Sequence, residues 1–502
     1  IGRERAEHRA RGAARRLARR ALRVLPLASL VIAREVSAQG SYRGLPLGGR
    51  SALLGNTGVA LARDNAAAFL NPATLAAPDA AALAVSVNFF RLTVTRASQW
   101  GQPGAVDTAR FPGLETERAA LSRTDFSPLP SSLCLAVAVG PVGTAPGQPR
   151  LAFCYGATDQ TSFDTTAEAR VSTAGPWTDD RVQTLRTSFS RQHVGPSFAL
   201  QLSPKVRLGA SLHLVLTSLD QIYGLTSTIY DATGRGALTS LHLFRGGQAF
   251  GAGLLVGATW EAARGVTLGL SIAPPTLPLW GSYSGSSDVQ LTTTDGARAV
   301  FVRESGSYRA DLPFRVALGA GFRSSRTRVE ADVFFAAGVD AFGRQEGTSR
   351  TTRLTGGAFV PEEESRLDRK VSALPVVNAA FGVERFVAKG FSVIGGGYTD
   401  FAPLDLGRTP PTPDLVAFSR RSRVALTLGV GSYGEGGELL AGVDAAYTWG
   451  LTAAPNPYGE EARLDWARTS GLQFVFILSG STNLSTLKRA AEQVESLVGA
   501  KP

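Results

Sequence analysis

The sequence predicts an all-β protein, a 14-stranded antiparallel transmembrane β-barrel with an N-terminal plug (hatch) and a short C-terminal helix. Three observations predict the barrel. Fourteen segments alternate apolar residues with small or polar ones at the two-residue period of a strand. Their connections alternate between long and short along the chain. The sequence has no run of about 18 apolar residues that would form a membrane-spanning helix.

The strand segments show their two faces clearly. In 205–219, Leu208 and Leu212 fall on one face, whereas Gly209 and Ser211 fall on the other. Sequence alone therefore gives these strands: 83–96, 132–140, 149–158, 192–203, 205–219, 246–261, 264–283, 310–323, 325–337, 373–387, 389–400, 420–433, 438–450 and 468–479.

The connections favour a barrel over a soluble sandwich, which would show the same alternation. Long connections are 97–131, 159–191, 220–245, 284–309, 338–372, 401–419 and 451–467, and short turns separate them. Long loops on one side and short turns on the other are typical of outer-membrane barrels. An even strand number places both chain ends on the side of the short turns, and lipid requires a closed sheet without edges.

The apolar faces are therefore expected to contact lipid, and the small or polar faces to line the lumen. Four tryptophans near strand ends, where aromatic girdles lie, agree with this orientation: Trp100, Trp260, Trp280 and Trp449.

Residues 1–38 read as a signal peptide with an N-terminal extension, although a soluble N-terminal helix is the alternative. A basic stretch, 15–20, precedes a short apolar stretch, Leu22 to Ala33, and we place cleavage after Ala38. This region holds ten arginines and three glutamates, and so carries most of the net charge of +11. Removing it leaves little excess charge, so nucleic-acid binding is not supported.

The segment Gly48 to Pro78 has neither strand alternation nor a helical stripe, and Asn71-Pro72 is a turn signal. It closely resembles the N-terminal plug of the FadL/TodX family of outer-membrane transporters for hydrophobic substrates. The resemblance lies in LLGNTGVAL (Leu53–Leu61), ARDNAAAF (Ala62–Phe69) and the triplet Asn71, Pro72, Ala73. Diffuse glycine and alternation patterns extend it over most of residues 48–400.

The resemblance implies a plug at 39–80 inside a barrel at 81–480, in the outer membrane of a Gram-negative bacterium. It also implies a transporter or channel that passes hydrophobic small molecules, such as long-chain fatty acids, by passive diffusion. The expected partners are that ligand and outer-membrane lipid. The alternative is a non-transporting plugged barrel that acts as a scaffold in a cell-envelope or surface-protein export complex.

The C-terminal residues 481–502 extend past the last expected strand. Leu484, Leu487, Ala491 and Val494 recur at helical spacing, which predicts a periplasmic amphipathic helix from about Ser485 to Val498. Such a helix would cover the barrel mouth or, alternatively, dock a protein partner; the extracellular loops are the other candidate docking surface.

No motif predicts an enzyme, a cofactor or a metal site. Gly429 to Gly434 matches a dinucleotide-binding glycine pattern formally, but it lies at a strand end before a turn. His193 is expected near Val215 in a hairpin about Pro204, with His213 diagonal to it on the lumen face. Two histidines without a third ligand make a weak metal site, so a polar lumen lining is the preferred interpretation.

Two further lumen features are predicted from strand pairing. A hairpin about Thr144 sets Cys134 opposite Cys154, which allows a disulfide in an exported protein, with two free thiols as the alternative. A hairpin about Ser324–Ser325 sets Arg323 opposite Arg326, Gly321 opposite Arg328 and Gly319 opposite Glu330.

That second hairpin gives a lumen charge cluster of Arg315, Arg323, Arg328, Glu330 and Asp332. Lumen charges are normally paired, so a salt-bridge network against the plug is expected, and a polar guide for a substrate carboxylate is the alternative. On the plug, the ligand-binding or gating candidates are Asp64, Asn65, Phe69, Asn71, Pro72 and Ala73. By resemblance the Asn71 triplet lies near a lateral opening; a turn that only anchors the plug is the alternative.

Overall fold

The computed structural model divides the chain into two compact units, Ile1–Val36 and Ser37–Pro502. It describes residues 45–77, 83–97, 115–116, 121–138, 149–171, 173–174, 177–231, 233, 236–293, 296–355, 357–401, 403–404, 420–434, 437–456 and 463–482. The predicted signal peptide, Trp100 and the predicted helix from Ser485 to Val498 lie outside the described residues. None of the helices described is long and apolar enough to cross a membrane.

Three short helices precede the sheet: α1 (Arg50–Leu53), α2 (Ala67–Leu70) and a 3-10 helix (Pro72–Ala76). The strands are β1 (Leu83–Ala97), β2 (Glu115–Thr116), β3 (Leu121–Ala138), β4 (Arg150–Val171), β5 (Thr173–Ala174), β6 (Trp177–Ser203), β7 (Val206–Asp231), β8 (Gly236–Ala263), β9 (Val266–Ala273), β10 (Leu277–Thr293), β11 (Gly296–Arg309), β12 (Arg315–Arg323), β13 (Thr327–Ala336), β14 (Val339–Thr355), β15 (Ala358–Ala373), β16 (Val376–Ala388), β17 (Phe391–Asp400), β18 (Arg420–Gly434), β19 (Gly437–Asn456) and β20 (Arg463–Thr482).

The large sheet closes on itself, because β1 pairs with β3 on one side and with β20 on the other. Four barrel strands consist of two pieces each: β9 with β10, β11 with β12, β13 with β14, and β15 with β16. Counted this way, the barrel has fourteen antiparallel strands, which confirms the predicted 14-stranded transmembrane barrel. Only β2 and β5 stand apart, as a two-stranded pair.

The faces of β7 show the predicted orientation. Leu208, Leu212 and Leu214 point outward and are exposed, whereas Ser211 and His213 point inward and are buried. The outward apolar run ends at Leu216 and is followed by Ser218 and Asp220. At a rise of about 3.3 Å per residue and the usual strand tilt, this run covers roughly the 25 Å of an outer-membrane apolar band.

The predicted long loops are mostly wrong, because strands continue through them. The connection 220–245, for example, is occupied by the ends of β7 and β8, whose residues Tyr230 and Gly236 are still paired. Beyond the apolar band the pattern weakens: Leu219 and Leu225 point inward and are buried, while the outward face becomes mostly polar, with exposed exceptions such as Ile222 and Phe244. The outward apolar signal weakens there, although the strand does not end.

The predicted register of the β12–β13 hairpin is wrong by two residues. Arg323 lies opposite Arg328, rather than opposite Arg326, and Gly321 lies opposite Glu330. The turn is longer than predicted: the Ser324 hydroxyl accepts the backbone N–H of Thr327 at 3.0 Å, and the Ser324 N–H donates to the Thr327 carbonyl at 2.8 Å. A two-residue slip keeps every side chain on its predicted face.

The four two-piece strands are neighbours in the sheet, and they break at 274–276, 310–314, 337–338 and 374–375. Prolines occupy three of the breaks, as Pro274, Pro275, Pro313 and Pro375. Proline removes the N–H that a ladder needs, so it suits a position where pairing stops. The sequence predicts one unbroken strand for each of the segments 264–283, 310–323, 325–337 and 373–387, and these predictions are wrong at the breaks.

Residues 45–77, here called the inner segment, are buried almost throughout. The segment bonds to strands from different parts of the sheet: Leu45 N–H donates to Thr158 of β4 at 3.2 Å, and Gly55 N–H to Thr427 of β18 at 3.1 Å. Gly55 has a φ of +68°, and a Cβ there would lie 2.5 Å from the Phe381 carbonyl oxygen. The segment therefore lies against the inner face of the barrel, where only glycine fits this approach.

Candidate functional site

Two buried carboxylates of β13 hold the middle of the inner segment. Asp332 accepts the backbone N–H groups of Gly58 at 2.8 Å and Val59 at 3.1 Å. Glu330 accepts those of Ala60 at 2.7 Å and Leu61 at 2.9 Å. Bonds from backbone N–H groups to a carboxylate are among the stronger hydrogen bonds in proteins. These two members of the predicted charge cluster therefore contact the inner segment directly.

The arginines of the cluster do not gather around those carboxylates. Arg328 pairs with Glu384 of β16 at 3.0 Å, and Arg323 lies beside the hairpin turn. Arg315 lies at the other end of β12, where it lines a cavity. The five predicted residues thus divide between anchoring, pairing and cavity lining.

The side chain of Asn71 makes three hydrogen bonds at the turn. Its Nδ2 donates to the carbonyls of Val59 at 2.6 Å and Ala258 of β8 at 3.0 Å, and its Oδ1 accepts the Ala73 N–H at 3.1 Å. A Cβ on Gly257 would lie 1.9 Å from Asn71 Oδ1, so the fit to β8 needs glycine there. The geometry is that of an anchor between the inner segment and the wall.

Asp64 forms hydrogen bonds within the inner segment, and Asn65 bonds that segment to the barrel wall. Asp64 accepts the backbone N–H and the hydroxyl of Ser51, both at 3.0 Å. Asn65 donates to the Ser132 carbonyl on β3 at 2.9 Å and to its hydroxyl at 3.0 Å. Both side chains are buried in these contacts and face no cavity that we describe.

A charge network at the other end of the inner segment could not be read from the sequence. Arg50 of α1 is buried beside Glu438 and Glu384, with the latter at 3.6 Å. Glu384 also accepts bonds from Tyr433 and Ser392, the second at 2.9 Å. Burial alone would lower the pKa of Arg50, but the two carboxylates outweigh it and raise that pKa.

Cys134 and Cys154 lie directly opposite each other on β3 and β4 and form a disulfide with an S–S distance of 2.07 Å. Both sulfurs are buried and pack against α2, in a cluster that includes Ala67 and Ala68. The disulfide therefore lies directly behind the segment that carries Phe69.

Phe69 is the inner-segment residue that lines two cavities. It lines a cavity of about 80 Å³ together with Leu47, Leu255 and Arg315, and a smaller one of about 30 Å³ with His193 and His213. Its ring stacks on that of His213, with 5.0 Å between centroids and 23° between planes. His193 lies opposite Val215, as predicted, and its ring is 5.8 Å from that of His213.

A larger cavity, of about 340 Å³, lies between β10 and β11, where the breaks of two neighbouring strands meet; this boundary is here called the seam. Ladder pairing between these strands begins only at Tyr283 and Gly306, and β9 and β12 resume it at Ala273 and Arg315. Between them, the described backbone bonds join only Thr276 and Leu312: the Thr276 N–H donates to the Leu312 carbonyl at 3.1 Å, and the Leu312 N–H donates to the Thr276 hydroxyl at 2.9 Å. The wall is therefore thinly held at this point.

The lining of this cavity comes from both faces of the wall. Val215 and Ala249 are buried and point inward, whereas Trp280 is 59% exposed and packs against outward-facing Phe250 at 5.2 Å between ring centroids. The cavity thus lies within the wall, with residues of both faces in its lining. It shares Thr276 with the histidine cavity, so the two spaces adjoin.

Apolar side chains pack the lumen at the level of the part of β6 that is distant from the turn at Pro204. A cluster there includes Phe189 of β6, Leu219 of β7, Phe342 of β14 and Leu367 of β15. The Arg191 guanidinium lies between two of these rings, 5.4 Å from the centroid of Phe189 and 4.9 Å from that of Phe342. These contacts join strands that are well separated around the barrel, so a closed layer of side chains lies next to the seam cavity.

Among the described residues, no group of three histidine, cysteine, aspartate or glutamate side chains could hold a metal ion. The geometry offers apolar cavities, one thinly paired seam and a rigidly anchored inner segment. The seam, the Arg50 network and the contact of Phe69 with His213 could not be predicted from the sequence, although the prolines at the breaks, Pro274-Pro275 and Pro313, are a visible signal for the seam.

Comparison with known proteins gives likenesses at low sequence identity. No protein-family model matches the sequence, and no curated relative matches it. The Pseudomonas putida toluene transporter TodX is 16% identical, with a TM-score of 0.49, over 88% of this chain and 100% of that one. A Pseudomonas aeruginosa FadL homologue is 15% identical, with a TM-score of 0.47, over 89% and 100% of the two chains. The Ralstonia pickettii toluene transporter TbuX is 15% identical, with a TM-score of 0.45, over 88% and 99%. The fold assignment above rests on the strand pairing itself.

Proposed function

We propose that this chain is an outer-membrane barrel of the FadL/TodX kind that passes hydrophobic small molecules by passive diffusion. The single observation that carries the proposal is the cavity at the β10–β11 seam. Its lining includes both lumen-facing and lipid-facing residues, which supports a route through the wall that a purely structural barrel has no need for. TodX and TbuX are toluene transporters, which agrees with this class of cargo.

In the proposed route, cargo occupies the cavity beside Phe69 and leaves through the seam near Trp280 into the surrounding lipid. Transfer of apolar surface out of water supplies the driving force, about 25 cal/mol per Å². The route needs no covalent chemistry and no nucleotide, so no catalytic residue is assigned. The closed layer around Phe342 directs cargo sideways.

The inner segment acts as the plug in this proposal, within the wider range 39–80, and residues 81–480 supply the barrel. Its anchors at Asn71, Glu330 and Asp332 hold it in place, so opening needs only a shift of Phe69 and not ejection of the segment. We assign Asn71, Pro72, Ala73, Asp64 and Asn65 to anchoring, and Phe69 to ligand contact.

Compact cargo is favoured over long-chain fatty acids by the size of the inner cavities. The spaces beside Phe69 measure about 80 and 30 Å³. A ring of benzene size fits a cavity of about 150 Å³, so the larger space must roughly double for a ring, and an extended chain would need far more room. Long-chain fatty acids, the class implied by the family resemblance, remain the competing cargo.

A scaffold in a cell-envelope complex is the second candidate function. The observation that favours it is the apolar layer that fills the lumen between β6–β7 and β14–β15. A lumen packed in this way suits a structural barrel.

Native mass spectrometry of the full chain in mild detergent, followed by extraction of bound molecules, tests the proposal. We expect an apolar molecule at near-stoichiometric amounts, and its identity separates aromatic compounds from fatty acids. An empty barrel with a co-purifying protein would overturn transport and support the scaffold.

A further inference from the structure

The two lumen histidines have polar atoms that the protein does not use. His193 and His213 are only 5% and 4% exposed. The Nε2 atom of each is buried and has no hydrogen-bond partner among the described residues. Buried polar groups are paired in the great majority of cases, so two orphans on adjacent strands need an explanation.

Both side chains line one small cavity, whose remaining lining combines apolar residues with the polar Thr158, Thr276 and Arg315. Phe69, Leu255 and Pro274 form part of its lining, and Thr276 connects it to the seam. A ligand that reaches the seam would therefore meet two imidazole nitrogens at the inner end of that space.

The geometry argues against a metal ion at this position. The cavity presents only two nitrogen ligands, and Arg315 contributes a positive charge to the same lining. A cation would thus lack ligands and meet repulsion.

A hydroxyl group matches the pair better. A neutral imidazole carries one donor and one acceptor nitrogen, so two of them can both give and receive a hydrogen bond, depending on the tautomers. A hydroxyl also does both, whereas a hydrocarbon does neither and a carboxylate only accepts.

The contact of Phe69 with His213 points to a ring as the body of the ligand. The rings of these residues are already stacked at 5.0 Å, which leaves flat aromatic surface at the edge of the cavity. The histidine cavity, of about 30 Å³, has room for a hydroxyl group only, so the ring must lie in the neighbouring space of about 80 Å³ beside Phe69, which would have to widen.

We propose that His193 and His213 form a recognition site for the hydroxyl group of a compact aromatic alcohol, a phenol, which is the cargo of the seam. This inference rests on the proposed transport function and names the chemical class of its substrate. The ring lies against Phe69, and the hydroxyl occupies the space between the two Nε2 atoms.

Three ligands with one ring size test the site on the full chain in detergent, by isothermal titration calorimetry. Toluene has no polar group, p-cresol adds a hydroxyl, and p-toluate adds a carboxylate. We expect p-cresol to bind about tenfold more tightly than toluene, the effect of one net hydrogen bond. In His193→Leu and His213→Leu, the ratio of the two affinities should fall to about one.

His242→Leu is the matched control, because His242 lies on the exposed outer face, 3.0 Å from Asp288, and its variant should keep the ratio. Equal affinities of wild type for toluene and p-cresol would overturn the hydroxyl site while leaving transport intact. Tightest binding of p-toluate would also overturn it, in favour of an anion site. Binding of none of the three would overturn both proposals, and this comparison in wild type needs no variant to fold.

Discussion

The carboxylate of Asp332 accepts the backbone N–H of Val59 at 3.1 Å, a contact that ties the inner segment to β13 across 273 residues of sequence. The same oxygen accepts Gly58, and Glu330 repeats the arrangement with Ala60 and Leu61. Because the inner segment contributes backbone groups only, its own side chains at these positions are not what holds it.

Neutralising these carboxylates should loosen the inner segment. In the double variant Glu330→Gln, Asp332→Asn, each charge-assisted bond is replaced by a weaker one, at about 1.5 kcal/mol or more for each carboxylate. We expect amide hydrogen exchange at Gly58 to Leu61 to rise at least about tenfold. Asp288→Asn, on the outer face, is the control. Unchanged exchange in the double variant would show that other contacts hold the segment.

Asn71→Ala should lower stability without opening a path. The change removes two donated bonds and one accepted bond within buried surroundings and should cost about 2–4 kcal/mol. Thermal unfolding in detergent, followed by electrophoretic mobility of the folded barrel, measures this, with Gln248→Ala as control. A variant of full stability that passes cargo faster would instead make Asn71 a gate.

Removing the disulfide should destabilise the wall behind α2. The pair closes a loop with a sequence separation of 20 residues, for which chain entropy gives about 3 kcal/mol. We expect the Cys134→Ala, Cys154→Ala double variant to unfold at lower denaturant than wild type. Denatured wild type should take up iodoacetamide only after reduction; labelling without reduction would show that the bridge is not formed.

Glu384→Gln should be the most damaging single substitution at the Arg50 network. Glu384 is 0% exposed and contacts both Arg50 and Arg328, so its loss leaves two arginines without a shared carboxylate. Breaking a buried pair in this way costs about 3–5 kcal/mol. Equilibrium unfolding compares it with Glu362→Gln, an exposed glutamate, which should change stability by less than about 1 kcal/mol. Equal effects of the two variants would contradict the network's role.

The barrel could be predicted because the alternation of apolar and polar residues within each strand identifies its lipid-facing and lumen-facing sides. The run Val206 to Leu216 gives β7 its lipid face without reference to any other strand, and the same holds round the barrel. The predicted pairing of β12 with β13 is shifted by two residues, and a shift of two residues leaves each side chain on its predicted face of the sheet.

Contacts that depend on how the inner segment sits could not be predicted. Arg50 and Glu384 are far apart in sequence, and no local pattern pairs them. The stack of Phe69 on His213 depends on the same placement. The seam was missed because its flanking segments keep strand alternation up to each break, and Pro274-Pro275 was read as part of one strand.

Uptake of labelled toluene tests the central claim that cargo crosses the wall at the seam. Ala310 lines the seam cavity, so Ala310→Trp should fill it, whereas Ala320→Trp places the same ring on the lipid-facing side of β12. Initial rates would be measured in Gram-negative host cells that lack their own hydrophobic-compound channel. The account predicts that Ala310→Trp lowers the rate at least about tenfold, to the level of cells without the protein, while Ala320→Trp transports like wild type. A folded Ala310→Trp protein with wild-type uptake would contradict it.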